Sequence, residues 1–529
     1  MNRRKFSFHR LALVAAMCAA VFLGITAVAR VAETAAISCE SLIGMALSNA
    51  KITSAKTVAA GAFVQPGGGG GAGGAGGGAN AFRTLPSFCR VEATLTPSSD
   101  SDIKIELWLP STGWNGKFQA VGNGGWAGSI PYPAIAQALA GGFAGAGTDT
   151  GHTGNNANFA LGHPEKMIDL GYRSIHEMTV QSKVIINTLY GSPAKLSYYN
   201  GCSQGGRQGL AEAQRYPEDF NGIIAGASAV NQMRMHAART ALNIVVNKDA
   251  GSVIPRTKYE MIHNAAVKAC DELDGVKDGV IENPTMCKFD YAALLCKGSD
   301  AADCLTQGQV ESAKAMTSPI KDPKTGKVLF EGHLMVGSEL SWATLGGPQP
   351  LNLAISGIQN VVFQDRTWDY HNMNFAADLD RASKSDGGAT ETNDPNLKKF
   401  FDHGGKLLMY HGWSDPQVNP LNSVLYYNDV VKTVGKSKAA NSIALFMVPG
   451  MNHCSGGPGT DTFDKMQVIQ DWVEKGKTPT RIVASHATGG KVDKTRPLCP
   501  FGQVAKYNGS GDTNDAANFA CKPESMNVR

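Results

Sequence analysis

Gly201-Cys202-Ser203-Gln204-Gly205-Gly206 follows Leu196–Asn200, which reads as a short buried strand, and precedes Arg207–Tyr216, which reads as a helix. Strand, Gly-x-Ser-x-Gly, helix is the pattern of a nucleophile elbow. Such a turn leaves no room for side chains beside the serine, so glycines stand two residues before and two after it. The Ser203 hydroxyl is thereby presented at a sheet edge. The helix behind it aims its free amides at any oxyanion formed there. A chain with 61 glycines offers chance matches to the string. The flanking strand and helix therefore carry the argument against a plain glycine-rich turn.

Outward from the elbow, strands and helices alternate. Ile103, Ile105, Leu107 and Leu109 alternate with Lys104, Glu106 and Trp108, a strand signal. Lys117–Val121 and Phe143–Thr148 read as further strands, and Ser174–Tyr190 as an amphipathic helix. Gly222–Ala227 is the strand after the elbow helix. The alternation is lost from about Ser228 to about Lys398. It resumes with the strand Lys406–Tyr410, a helix near Leu421–Val431, the strand Ile443–Val448 and the helix Phe463–Glu474. Helices alternating with strands imply an α/β fold with a mainly parallel sheet covered on both faces. Residues 30–227 and 399–529 are expected to form one discontinuous catalytic domain, and 228–398 an inserted lid. The tail from Cys499 to Cys521 reads as irregular. The run Gly67–Gly78 cannot pack a core and reads as a surface loop.

The chain of 529 residues can bury a large core, and its net charge of +4 gives no reason to expect nucleic acid or an anionic membrane as partner. Residues 1–29 read as a signal peptide. Arg3, Arg4 and Lys5 precede the uncharged run Leu11–Val28, which ends in the small-residue site Ala27-Val28-Ala29. A retained anchor is the alternative, and Arg3-Arg4-Lys5-Phe6 also fits twin-arginine export. The expected location is secreted or periplasmic, with no membrane contact after cleavage. Of 11 cysteines, Cys18 leaves with the signal. Ten remain, an even number that in an exported chain implies disulfides. None has Cys-x-x-Cys spacing, so zinc is not expected.

A serine hydroxyl needs a base in contact, and the base needs a carboxylate to hold its tautomer. In elbow hydrolases the chain order is Ser, acid, His, with acid and base on loops after successive late strands. Asp415, in His411-Gly412-Trp413-Ser414-Asp415, and His453, in Pro449-Gly450-Met451-Asn452-His453-Cys454, satisfy that order. Asp402 and Asp149 are rival acids, but Asp402 precedes its strand and Asp149 precedes the serine. The backbone amide of Gln204 is one expected oxyanion donor. Gly125, with Gly124 next, is the other, from the loop Gly122–Gly128 after an earlier strand. Cys202 adjoins the nucleophile and Cys454 adjoins the base. Pairing them would fix the Ser–His distance. Local pairing of the rest gives Cys39–Cys89, Cys270–Cys287, Cys296–Cys304 and Cys499–Cys521, although spacing alone leaves connectivity open.

Cys202-Ser203, Asp415 and His453-Cys454 together resemble the Cys-Ser, Asp, His-Cys constellation of the tannase and feruloyl esterase family, which includes mono(2-hydroxyethyl) terephthalate hydrolase. The resemblance runs over nearly the whole mature chain. It implies an α/β-hydrolase domain with a large inserted lid, a structural calcium ion in the lid, and hydrolysis of aromatic carboxylic esters. The lid loop Asp271-Glu-Leu-Asp274-Gly-Val276-Lys-Asp278-Gly-Val280 crowds carboxylates that would repel one another without a cation, although a solvated acidic turn reads as well from the residues alone. By resemblance, Asp271, Asp274 and Asp278 offer side-chain oxygens to Ca2+, and Val276 and Val280 offer carbonyls. No organic cofactor is implied.

By the same resemblance His411 lines the acyl pocket. The lid aromatics Trp342, Phe363 and Trp368 are candidates to grip an aromatic acyl group. Gln204 stands where the terephthalate hydrolase has an acidic residue and Val418 where it has an aromatic, and no residue matches its carboxylate-binding arginine, although Arg366 stands in that region. Those departures favour hydroxycinnamoyl, feruloyl or galloyl esters over a terephthalate monoester. Rival classes are an acyltransferase with the same triad and a non-catalytic binding protein for phenolics.

Overall fold

A computed structural model of the chain describes residues 37–67, 82–331 and 334–528. The expected signal peptide, and the glycine run beyond Gly67, lie outside the described residues. Nine strands make one sheet: β1 Ala50–Val58, β2 Phe88–Leu95, β3 Ile103–Pro110, β4 Lys117–Val121, β5 Ala144–Thr148, β6 Leu196–Cys202, β7 Gly222–Gly226, β8 Lys406–Gly412 and β9 Ile443–Val448. Their order across the sheet is β1-β2-β3-β5-β4-β6-β7-β8-β9. β1, β2, β3 and β5 pair antiparallel, and every pair from β5 to β9 is parallel. This is the α/β-hydrolase fold, as expected.

Register places the site. Cys202 pairs with Gly226, Tyr410 with Gly226, and Gly412 with Val448. The C-terminal ends of β6, β7, β8 and β9 are thus aligned, and the loops that leave them gather at one sheet edge. In open parallel sheets that edge is where ligands bind. The strands are apolar throughout because both faces are covered: every residue of Ile443–Val448 is buried. One face packs on Ile175, Met178, Ile185 and Leu210, and the other on Ile469 and Trp472.

The helices that matter here are α1 Tyr132–Ala140, α2 Ser174–Tyr190, α3 Gln204–Arg215, α4 Gln232–Val246, α5 Tyr259–Cys270, α6 Gln307–Met316, α7 Pro420–Val434 and α8 Lys465–Lys475. The elbow helix starts at Gln204, three residues before the expected Arg207, because the turn at Ser203 passes straight into it. Between β7 and β8 no strand joins the large sheet among the described residues, yet the segment holds regular helices. The apolar rhythm of α4 is broken by the buried polar side chains Gln232, His236, Arg239, Thr240 and Asn243, so no stripe is legible. This segment has its own core around Trp342, Tyr291, Leu305 and Ile262. The tail is not irregular: Gln503–Tyr507 and Phe519–Pro523 pair antiparallel, with Cys521 opposite Ala505. Among the described residues no helix is long and apolar enough to cross a membrane.

Candidate active site

The elbow is as tight as its glycines require. A Cβ on Gly201 would lie 2.5 Å from the Gly205 carbonyl, and one on Gly206 would lie 2.1 Å from the Gly226 oxygen. Ser203 adopts φ 63° and ψ −122°, a region that costs a non-glycine residue roughly 1–3 kcal/mol. Its amide donates to the Gly226 carbonyl at 2.9 Å, which pins the turn to the next strand.

Ser203 Oγ lies 2.8 Å from His453 Nε2, and His453 Nδ1 lies 2.7 Å from Asp415 Oδ2. The other carboxylate oxygen of Asp415 accepts the amides of Gln417 at 2.7 Å and Val418 at 2.9 Å. Asp415 is wholly buried. Burial alone would push its carboxyl up. The His453 charge and the hydrogen bonds from His411 and His453 outweigh it, so the group sits well below the usual carboxylate range. The rivals lie elsewhere. Asp402 pairs with Lys438. Asp149 is buried on the amides of Lys104 and Gly151, and burial raises it to about 7 against those bonds.

Five disulfides pair Cys39 with Cys89, Cys202 with Cys454, Cys270 with Cys287, Cys296 with Cys304, and Cys499 with Cys521. The second joins the residue before Ser203 to the residue after His453 across 252 positions. Cys454 has φ 66°, so the histidine loop turns sharply at the bridge.

A small cleft lies beside Ser203. Gly125 and Gln204 border it, and Gly125 has φ +57°. The first amides of a helix lack intrahelical acceptors, and Gln204 supplies the first of α3. Val418 lines the cleft.

The structure does not bring His411, Trp342 or Trp368 to the cleft. His411 is wholly buried behind the acid: Nε2 faces Asp415 Oδ2 and the Val418 carbonyl, both at 3.1 Å, and Nδ1 meets Ser423 Oγ at 2.7 Å. With two acceptors at Nε2, that nitrogen carries the proton. Trp342 is core, with Nε1 donating to Ser338 Oγ at 3.1 Å. Trp368 stacks on Phe363, ring centroids 4.3 Å apart, and Arg366 is exposed. Trp342 fills the core of its own segment, and Phe363 and Trp368 pack, half-buried, on a cluster that includes Trp126 and Leu170. The cleft is lined instead by Trp126, Leu353, Gln417 and, from α4, Gln232, His236 and Arg239. The three α4 residues stand at i, i+4 and i+7, one helical face, and that spacing was the available signal.

In the acidic loop, Asp271 accepts the amides of Asp278 at 3.3 Å and Gly279 at 3.0 Å, and Asp274 accepts that of Val276 at 3.0 Å. Asp271 and Asp274 are buried. Asp274 is pushed up to about 6, by burial first and also by the Asp278 charge. Asp278 itself pairs with Arg496 and with Lys494, the latter at 3.2 Å. Crowded buried carboxylates beside backbone carbonyls are a hard-cation donor set. Among the described residues, a tighter cluster of ligand-type atoms, all within 4.8 Å, lies behind the elbow helix at His176, Glu212 and Asp219. There His176 and Lys183 both reach Asp219, at 2.7 and 4.0 Å.

The sequence model for tannase and feruloyl esterase matches residues 89–522. The chain is 34% identical to mono(2-hydroxyethyl) terephthalate hydrolase of Piscinibacter sakaiensis, over 83% of this chain and 85% of that one. It is 32% identical to probable feruloyl esterase B-1 of Aspergillus oryzae, over 82% and 84%. The crystal structure of feruloyl esterase B from Aspergillus oryzae superposes with a TM-score of 0.83 at 30% identity, covering 92% of this chain and 99% of that one. Tannin acyl hydrolase from Aspergillus niger shares the fold at a TM-score of 0.75, 23% identity, and 93% and 94% coverage. The chain therefore belongs to the tannase and feruloyl esterase family and is a carboxylic ester hydrolase of that type.

Proposed function

We propose that the protein is an exported serine esterase that cleaves aromatic carboxylic esters, hydroxycinnamoyl or galloyl, through an acyl-enzyme. The observation that carries the reading is the unbroken chain of hydrogen bonds from Ser203 Oγ through His453 to Asp415. Ser203 Oγ attacks the ester carbonyl while His453 Nε2 takes its proton. Asp415 holds the imidazole in the tautomer that leaves Nε2 free to accept, and its negative charge stabilises the imidazolium. The amides of Gln204 and Gly125 hold the oxyanion. His453 returns the proton to the departing alcohol, and water then releases the acid by the same steps in reverse roles.

His411 acts through Asp415. It fills a second lone pair of the acid from behind and keeps it ionised. The lid spans residues 228–398, and Asp271, Asp274 and Asp278, with the carbonyls of Val276 and Val280, would hold calcium there. Calcium would brace the lid and supply no chemistry at Ser203. Five disulfides and the apolar, basic-led N-terminal segment support export.

The test is turnover of methyl ferulate, methyl gallate and a terephthalate monoester by wild type and Ser203→Ala. We expect kcat to fall by about 10^6 in the variant, as when the nucleophile of a triad is lost, together with loss of fluorophosphonate labelling. Equal turnover by the two proteins would refute the mechanism. An added alcohol that diverts most product to a new ester would place the enzyme among acyltransferases.

A further inference from the structure

The cleft beside Ser203 contains more buried polar atoms than its own hydrogen bonds satisfy. Gln204, Gln232, His236 and Arg239 all border it and are all at most 4% exposed. Arg239 donates from Nη1 to His236 Nδ1 at 3.2 Å and from Nη2 to the Gln417 carbonyl. A guanidinium can only donate. His236 Nδ1 is therefore an acceptor, and its Nε2 carries the ring proton. Burial first, and then the Arg239 charge, hold His236 well below its ordinary value, so the ring is neutral. Gln204 turns its oxygen to Arg207 Nε at 3.0 Å, which leaves its amide nitrogen pointing elsewhere.

The atoms left without a partner are Gln204 Nε2, Gln232 Oε1, His236 Nε2 and Arg239 Nε. Three donors and one acceptor thus belong to side chains that line one small cleft. Arg239 has no carboxylate bonded to it, and Asp415 acts on it only through space. Around these atoms the walls are apolar: Trp126, whose ring lies 5.5 Å from that of His236, with Leu353, Met235 and Val418. Buried donors are normally satisfied, and in a reaction cleft the partner is a ligand or water.

We infer that Gln232, His236 and Arg239, with the Gln204 amide, form the subsite that selects the acyl group, and that they select an aromatic ring carrying an acceptor oxygen over an unsubstituted ring. This rests on Ser203 being the nucleophile of an ester hydrolase. Ring faces meet the apolar walls, and the substituent oxygen meets three N–H groups, one of them charged. A phenolic hydroxyl can also donate to Gln232 Oε1, and a ring carboxylate cannot. Two sources share the recognised chemistry, a phenolic oxygen and a carboxylate, and two substrate pairs separate them.

The experiment compares kcat and KM for methyl 4-hydroxycinnamate against methyl cinnamate, and for monomethyl terephthalate against methyl benzoate. Wild type, Arg239→Gln and His236→Gln are used, each checked for native Tm. Wild type should prefer the oxygen-bearing member of at least one pair by about tenfold or more in kcat/KM, the scale of a charge-assisted hydrogen bond. Arg239→Gln should collapse that preference to within about threefold, chiefly through KM. The pair that collapses names the source. Retention of the preference in both variants overturns the inference. So does an equal fall in kcat for every ester, because Gln417 also binds Asp415 and Arg239 would then merely position the acid. Hydrolysis of no ester by wild type is a different failure, that of the esterase reading itself.

Discussion

Asp415 serves two imidazoles at once, and its surroundings show what a buried carboxylate needs to stay ionised. It has His453 in front, His411 behind and two loop amides on its other oxygen. Asp149 shows the opposite outcome. It is also buried and accepts two amides, yet nothing cationic touches it closely enough, and burial lifts it to about 7. Its proton is therefore held more tightly in the folded chain than in the unfolded one, where the value is 3.8. The stability this confers is complete below pH 3.8 and is lost as pH rises through about 7. Asp149→Asn keeps an oxygen for the Lys104 and Gly151 amides and removes the ionisation. We expect the variant to gain on wild type as pH rises from 5 to 8, by up to about 2.6 kcal/mol. Urea unfolding at the two pH values measures this, and a stability difference that does not change with pH would rule it out.

At the scale of elements, the site is made by three loops leaving the aligned ends of β6, β8 and β9, and one bridge ties the first to the last. Closing 252 residues of chain removes loop entropy from the unfolded state worth roughly 5 kcal/mol in the chain-entropy model. In the folded state the bridge flanks both Ser203 and His453. Replacing Cys202 and Cys454 together by serine should lower Tm and, well below the new Tm, lower kcat more than it raises KM. A variant with lower Tm but wild-type kcat would show that the loops keep their register without the sulfurs. The bridge was readable because each cysteine adjoins a motif residue. The strands β6 to β9 were readable for a related reason: buried on both faces, they stand out as apolar runs between turns. α4 was not readable. Its Gln232, His236 and Arg239 are polar and buried, so they erase the periodicity that reveals a helix while equipping the cleft. Trp342 and Trp368 lie away from the cleft for the converse reason, since a large aromatic is recognisable in sequence but the cluster it packs into, as core for Trp342 and half-buried for Trp368, is not.

Across the whole molecule, the acidic loop lies where three distant parts of the chain meet. Val276 packs with Cys499, Ala505 and Phe519 of the tail, and Lys506 donates to the Leu273 carbonyl at 2.8 Å. Lys494 and Arg496 reach Asp278. On the other side Val280 abuts the turn that leads to His453, since a Cβ on Gly450 would come within 3.0 Å of its side chain. A cation held by Asp271, Asp274 and Asp278 would draw these carboxylates together and brace that junction. Calcium at 100 times its dissociation constant would add about 2.7 kcal/mol to the folded state. Chelation with EGTA should therefore lower Tm by a few degrees, and added calcium should restore it. In the double variant Asp274→Asn, Asp278→Asn both responses should vanish, and metal analysis should find no calcium. Asp278→Asn also removes the ion pairs to Arg496 and Lys494, so the variant's Tm without calcium should lie below that of chelated wild type, and the readout is the loss of both responses, not the absolute Tm. A wild-type protein that is purified without calcium, and whose Tm ignores both EGTA and added calcium, would leave the junction to Arg496 and Lys494 alone.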